Sequence, residues 1–267
     1  MSELRVLPIE GLPEVSEGTK LGELIGERAE LQEGDVVVIS QKIVSKAEGM
    51  VRLLSKVEPS EKAIELGKSL AKEPGLVELI LSESREILRE ERVLITETHH
   101  GFVCANAGID TSNLPEQGTV CLLPSDPDAS ARTIRTELQT AIERPGVGVA
   151  GPSPLLSADP HPRSPLAVVI ADSFGRAWRV GQAEVAIGCA GLMPLDDWRG
   201  RKDTSGRELQ ATLIAIADQV AAAADLVRVK DSNVPAAIVR GLGRCVTAED
   251  GPGAAALRRP PAEDLFR

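Results

Sequence analysis

Aromatic residues make up 2% of this 267-residue chain, and none of them is tyrosine. A surface that stacks on bases needs several aromatic platforms in a positive field, whereas the formal net charge here is −10. Nucleic acid is therefore not an expected partner. Long hydrophobic runs are also missing: the most apolar stretch, residues 214 to 227, is broken by Asp218, Gln219 and Asp225. No segment approaches the roughly 20 apolar residues that a membrane span requires, so no membrane association is expected. Met1 to Arg5 do not lead from a basic segment into an apolar one, so no signal peptide is read there and a cytoplasmic protein is expected. Cys104, Cys121, Cys189 and Cys245 form no C-x-x-C pair, which removes the common structural zinc motif and leaves buried free thiols. His99-His100 and His161 supply too few further ligands for a zinc enzyme. No G-x-x-x-x-G-K-[ST] occurs, so any phosphate handling must rest on something other than a Walker loop.

What remains is an ordinary globular composition, 42% hydrophobic and 26% charged, with length for one sizeable core or two modest ones. Val36 to Ile39, after the turn signal Glu33-Gly34-Asp35, and Leu166 to Ala171 read as strands buried on both faces. The second would place Asp172 at its tip. Strands are also expected over Leu76 to Ser82, Arg92 to Thr98 and Pro235 to Val239, and helices over Leu21 to Arg28, Glu61 to Glu73 (started by Pro59-Ser60) and Asp126 to Glu143. The longest helical pattern runs from Ser205 to Val227. Gly146 to Pro165, rich in Gly, Pro and Ser, reads as a loop, and the tail from Thr247 onward as poorly ordered.

Three stretches stand out because each joins a small or glycine-containing turn to charged or hydroxyl side chains: residues 40 to 49 (SQKIVSKAEG), 106 to 113 (NAGIDTSN) and 171 to 176 (ADSFGR). That combination suits phosphate and a hard cation, and points to nucleotide-driven chemistry. Gly108 lets the backbone approach a ligand, and Asp110 follows with a carboxylate. One Asp in such a turn is more often a cap than a ligand, but Asp172-Ser173 adds a second carboxylate and a hydroxyl, the donors Mg²⁺ or Mn²⁺ takes alongside phosphate oxygens. Lys46, with Ser45, Ser40 and Gln41, would hold phosphates. Arg176 and Arg179, on either side of Trp178, fit an anionic substrate or ordinary surface contacts equally well.

In these stretches, together with LPIEGLP at residues 7 to 13, Ala177-Trp178-Arg179, Gly181 and Ala186-Ile187-Gly188, the chain resembles the coenzyme F420-0:gamma-glutamyl ligase family from about Leu7 to Arg244. The resemblance implies an α+β fold of two interleaved subdomains over residues 1 to 245, an intertwined homodimer with its substrate groove near the dimer contact, and a tail over 246 to 267. It also implies a GTP-dependent enzyme that adds L-glutamate to F420-0, using Mg²⁺ or Mn²⁺ and a monovalent cation such as K⁺. By position, Asp110 and Asp172 would hold one metal and Ser173 would contribute to a second. Gly11, Leu12, Pro13, Glu14, Ser40, Gln41, Lys46 and Asn113 would contact GTP. Two departures stand out. Ser173 occupies a position where the family usually has Thr, and residues 228 to 233 read RVKDSN where it usually has Met-Gly-Gln or Met-Gly-Lys. Lys230 cannot ligate a metal as an oxygen would, but it can pair with phosphate. A non-catalytic binder of the deazaflavin precursor, or a ligase of the same fold for another carboxylate, are the competing readings.

Overall fold

Val36, Val37, Val38 and Ile39 are completely buried, and the reason is topological: their strand has neighbours on both edges and packed layers on both faces. In the computed structural model, residues 3–114, 116–142 and 166–264 are described. In chain order the strands and α-helices are β1 (Arg5–Ile9), α1 (Leu21–Gly26), β2 (Val36–Ser40), α2 (Gln41–Ala47), β3 (Val51–Leu53), α3 (Glu61–Leu70), α4 (Pro74–Ser82), β4 (Ser84–Arg89), β5 (Ile95–Thr98), β6 (Val103–Ala105), β7 (Thr119–Cys121), α5 (Pro127–Ile142), β8 (Ala167–Arg176), β9 (Arg179–Ala190), β10 (Leu195–Asp197), β11 (Leu213–Ala215), α6 (Ile216–Asp225) and β12 (Ala236–Arg240). The fold is mixed α and β. Among the described residues no helix is long and apolar enough to cross a membrane.

The main sheet has the order β1-β12-β2-β8-β9, with β2 and β8 parallel and the other neighbours antiparallel. Because side chains alternate along a strand, Val37, Ile39, Val168 and Ile170 face one core, shared with α1, α2 and α5. Val36, Val38, Ala167 and Val169 face the other, closed by α6. The α5 layer approaches β9 so closely that a Cβ on Gly188 would lie 2.2 Å from the Pro127 carbonyl oxygen, which ties the glycine of the 186–188 motif to packing. A third core gathers residues between Leu54 and Leu122, beneath α3, α4, the β3–β7 ribbon and the three-stranded β4-β5-β6 sheet.

Several expectations are corrected. Leu76 to Ser82 is part of helix α4, with Pro74 in its first turn and Val77 and Ile80 turned into the third core; a short apolar run does not by itself distinguish a helix from a buried strand. Ser205 to Val227 is not one helix. Its first part is a turn in which Asp203 accepts the Ser205 and Arg207 backbone N–H groups and Gly206 has φ +82°; β11 follows, and only Ile216–Asp225 is helical. The strand expected over Arg92 to Thr98 is confined to Ile95–Thr98, since Arg92 has positive φ. Ser60 does cap α3, accepting the Ala63 N–H. The tail also has contacts among its described residues: Asp128 accepts the N–H groups of Ala254 and Ala255, and Arg135 pairs with Asp250 at 2.7 Å. The expected loop from Gly146 to Pro165 lies outside the described residues.

Candidate active site

Beyond Ser40 and Ala171, where the parallel β2–β8 pairing stops, β8 continues, among the described residues, with β9 alone. Asp172 is thus the sixth residue of a ten-residue strand rather than its tip, but it stands where the sheet loses a neighbour. Helix α2 starts directly at Gln41, so the chain after β2 is helical where a turn was expected. This places Lys42 and Lys46 one turn apart and therefore on one face, with Gln41 and Ser45 on the buried side. Gln41 Nε2 donates to Ser45 Oγ at 2.6 Å and to the Leu122 carbonyl at 2.8 Å, tying α2 to the lobe that carries Asp110.

Asp110 follows three successive residues with positive φ, Asn106, Ala107 and Gly108. Its backbone exchanges hydrogen bonds with Cys121 in both directions, which fixes the direction of its side chain. Oδ1 accepts from Ser112 N and Oγ at 2.7 and 2.8 Å, and Oδ2 meets Lys42 Nζ at 2.8 Å. Lys42 also donates to the Ser112 carbonyl at 2.7 Å. Burial raises the pKa of Asp110, but the contacts with Lys42 and Ser112 outweigh it and hold the carboxyl below its ordinary value.

Asp172 is the opposite case. Burial first, then the charge of Glu184, pushes its pKa up to about 7, against the pull of the Ser173 backbone N–H and the field of Lys230. Opposite Ser173 in the ladder stands Glu184, which accepts the Ser173 hydroxyl on Oε1 at 2.5 Å and pairs through Oε2 with Arg228 at 3.0 Å. Both members of this ion pair are buried, at 8% exposure each.

These groups share a groove of about 650 Å³, a size suited to a nucleotide-scale ligand. Of the residues expected at the site, Leu12, Pro13, Glu14, Ser40, Gln41, Lys46, Asp110, Asn113, Asp172, Ser173 and Lys230 line it. Gly11 does not; its carbonyl accepts Arg28 Nε at 3.1 Å. Lys46 Nζ lies 2.6 Å from the exposed Glu14 carboxylate. Gln41 is buried with its amide nitrogen already engaged. The sequence alone assigns no role to Lys42, Glu184 or Arg228. The i, i+4 relation of Lys42 to Lys46 is the one available hint, hidden when 40–49 is read as a turn.

Among the described residues no three His, Cys, Asp or Glu side chains form a ready metal cluster. The donors present are two carboxylates in each other's field and a hydroxyl. That set fits a single Mg²⁺ or Mn²⁺ that takes most of its remaining ligands from phosphate and water. Cys104 faces the same groove, but burial and then the Asp172 charge push its thiol up to about 12, so it stays protonated and unreactive near neutrality.

The family profile described as F420-0:Gamma-glutamyl ligase matches residues 11–152 and 159–241. The chain is 41% identical over 273 residues to the coenzyme F420:L-glutamate ligase of Methanothermobacter thermautotrophicus, covering 99% of each chain. It is 42% identical over 267 residues to that of Methanopyrus kandleri, covering 99% of this chain and 98% of the relative. With the protein of that name from Archaeoglobus fulgidus, identity is 39% over 240 residues, 90% of this chain and 88% of the relative.

Proposed function

The chain belongs to the F420-0:gamma-glutamyl ligase family, and from that premise we propose that it joins L-glutamate to the terminal carboxylate of F420-0 with cleavage of GTP. The observation that carries this reading is the juxtaposition in one groove of a lysine pair on α2, Lys42 and Lys46, with two acids of opposite electrostatic character, Asp110 and Asp172.

In the first step a carboxylate oxygen of F420-0 attacks the γ-phosphorus of GTP, and the bond to the bridging oxygen breaks, its electron pair leaving with GDP. In the second, the glutamate amine attacks the carbonyl carbon of the acyl phosphate, inorganic phosphate departs with the C–O electron pair, and the amine loses a proton. Little covalent work falls to the protein; position and charge dominate such transfers. A bound divalent ion would neutralise phosphate charge. Lys46, itself mostly buried, exchanges the solvent-exposed Glu14 carboxylate for a phosphate oxygen, so that its charge stays paired throughout. Asp110, anchored by Lys42 and Ser112, keeps its carboxylate ionised and aimed. The unreactive Cys104 agrees with a route that needs no protein nucleophile.

Purified protein incubated with F420-0, L-glutamate, GTP and Mn²⁺ is expected to yield products heavier by one or more glutamyl units in mass spectrometry, and Asp110→Asn to yield none. Unchanged F420-0 with the wild-type chain would overturn the ligase reading.

A homodimer is part of the same proposal. Beyond the end of β2 the β8–β9 hairpin projects with Trp178 86% and Val180 98% exposed, an apolar tip suited to burial against a second copy. Sedimentation equilibrium should give twice the 28.3 kDa chain mass; a monomer at micromolar concentration would refute this.

A further inference from the structure

Three carboxylates of the groove already hold a protein cation: Asp110 has Lys42, Glu14 has Lys46, and Glu184 has Arg228. Outside these pairs the wall presents Asp172 and Asp225 against Lys230. A first divalent ion therefore has an uncommitted carboxylate at Asp172, with the Lys42-held Asp110 as the second carboxylate facing the same ion. A second ion, on the Ser173 hydroxyl, meets a different environment. The Ser173 oxygen keeps lone pairs after donating its proton to Glu184, so the hydroxyl alone does not exclude a cation; the charge around it does. Glu184, the carboxylate beside that hydroxyl, is neutralised by Arg228 in a buried setting. A dication there would face the guanidinium across a medium that screens poorly. The loop after α6, which could have supplied a further oxygen, presents the exposed Lys230, with three N–H donors and no lone pair.

The charge around Ser173 thus does not suit a second metal, and the other oxygen donors of that wall, Asp225 and Asn233, flank the Lys230 ammonium in sequence. We propose that this chain works with one divalent ion per site, and that the Lys230 ammonium supplies the second positive charge on the phosphate chain. Lysine suits that role, being a compact point charge on a flexible stem that can follow a phosphate through the reaction. Arg228, in the same loop, acts as a positioning residue, anchoring the segment to β9 so that Lys230 reaches over Asp172. The inference rests on the nucleotide reading above and names the charges that serve it.

The test counts metal rather than turnover. Full-length protein is equilibrated with saturating Mn²⁺ and GMP-PNP, a GTP analogue that is not cleaved, and bound Mn²⁺ and nucleotide are quantified after dialysis. The expected result is one Mn²⁺ per protomer for the wild type, for Lys230→Arg and for Lys230→Gln, since Arg228 stays beside Glu184 in all three. GMP-PNP, titrated in the same dialysis, should be bound about tenfold more weakly by Lys230→Gln, which removes the charge on the phosphates. Because Lys230 is exposed, neither substitution threatens folding. Two Mn²⁺ in the wild type or in either variant would overturn the proposal, and so would an unchanged GMP-PNP affinity in Lys230→Gln. In each of those cases bound GMP-PNP leaves the nucleotide reading intact, whereas absence of bound nucleotide in the wild type overturns both.

Discussion

Asp172→Asn is expected to abolish glutamate addition while making the ligand-free protein more stable above neutral pH. On the proposed function, the loss of activity follows from removing the carboxylate that would hold the cation. Even outer partners of metal ligands are worth about 10–100-fold in affinity or activity, so removal of a direct ligand should cost at least ~100-fold. The gain in stability follows from linkage. In the folded, ligand-free chain the Asp172 carboxyl titrates at about 7, raised first by burial and then by Glu184, whereas an unfolded Asp titrates at about 4. Between those values the folded state holds a proton that the unfolded state has released. Stability therefore falls as pH rises from about 4 to 7 and levels off above it. Asparagine cannot ionise, so its stability curve loses this decline. Thermal unfolding of both proteins without metal should show nearly equal midpoints at pH 4.5 and a higher midpoint for the variant at pH 8. A variant less stable than wild type at pH 8 would show that the buried carboxylate is not under electrostatic strain. The same strain explains why a cation should be welcome: a groove that holds Asp172 above its ordinary range is one in which a divalent ion displaces a proton near neutrality.

The sequence showed the interior of the main sheet most clearly, because strands buried on both faces must be continuously apolar and β-branched runs satisfy that. Val36 to Ile39 and Leu166 to Ala171 could hardly be anything else. It misled where the same signal has two solutions. The run from Leu76 to Ser82 is equally apolar, but Pro74 presets a helical first turn and the third core needs one face of a helix. The helical period after Ser205 was overridden by a local turn at Asp203 and Gly206, whose side-chain to backbone bonds compete with helix formation. At the site, small or glycine residues beside charged and hydroxyl side chains pointed to Asp110, Asp172 and Lys46, although Asp172 lies within β8 and Lys46 within helix α2. Glu184 and Arg228 were invisible for a physical reason. They lie 44 residues apart, on β9 and on the loop after α6, and only the placement of α6 against the sheet brings them together.

That pair sets up the largest stability effect. Arg228→Met should lower the unfolding free energy by about 3–5 kcal/mol, because removing one partner of a buried ion pair strands the other charge without compensation. Here the stranded group is Glu184, which would keep the Ser173 hydroxyl but lose the guanidinium at 3.0 Å, and whose charge already works against Asp172. Glu184→Gln alone should cost a similar amount, leaving a buried guanidinium whose Nε already has no hydrogen-bond partner among the described residues. The double variant should recover most of the loss, since two neutral side chains of similar size incur no charge-burial penalty. Urea unfolding of the four proteins closes the cycle, and costs that simply add would show that the two side chains stabilise the fold independently. Activity should not recover with stability in the double variant. Arg228 also anchors the segment that carries Lys230, and methionine offers the β9 strand no hydrogen bond to hold it. Stability restored with activity still low would separate the pair's part in folding from its part in placing that charge.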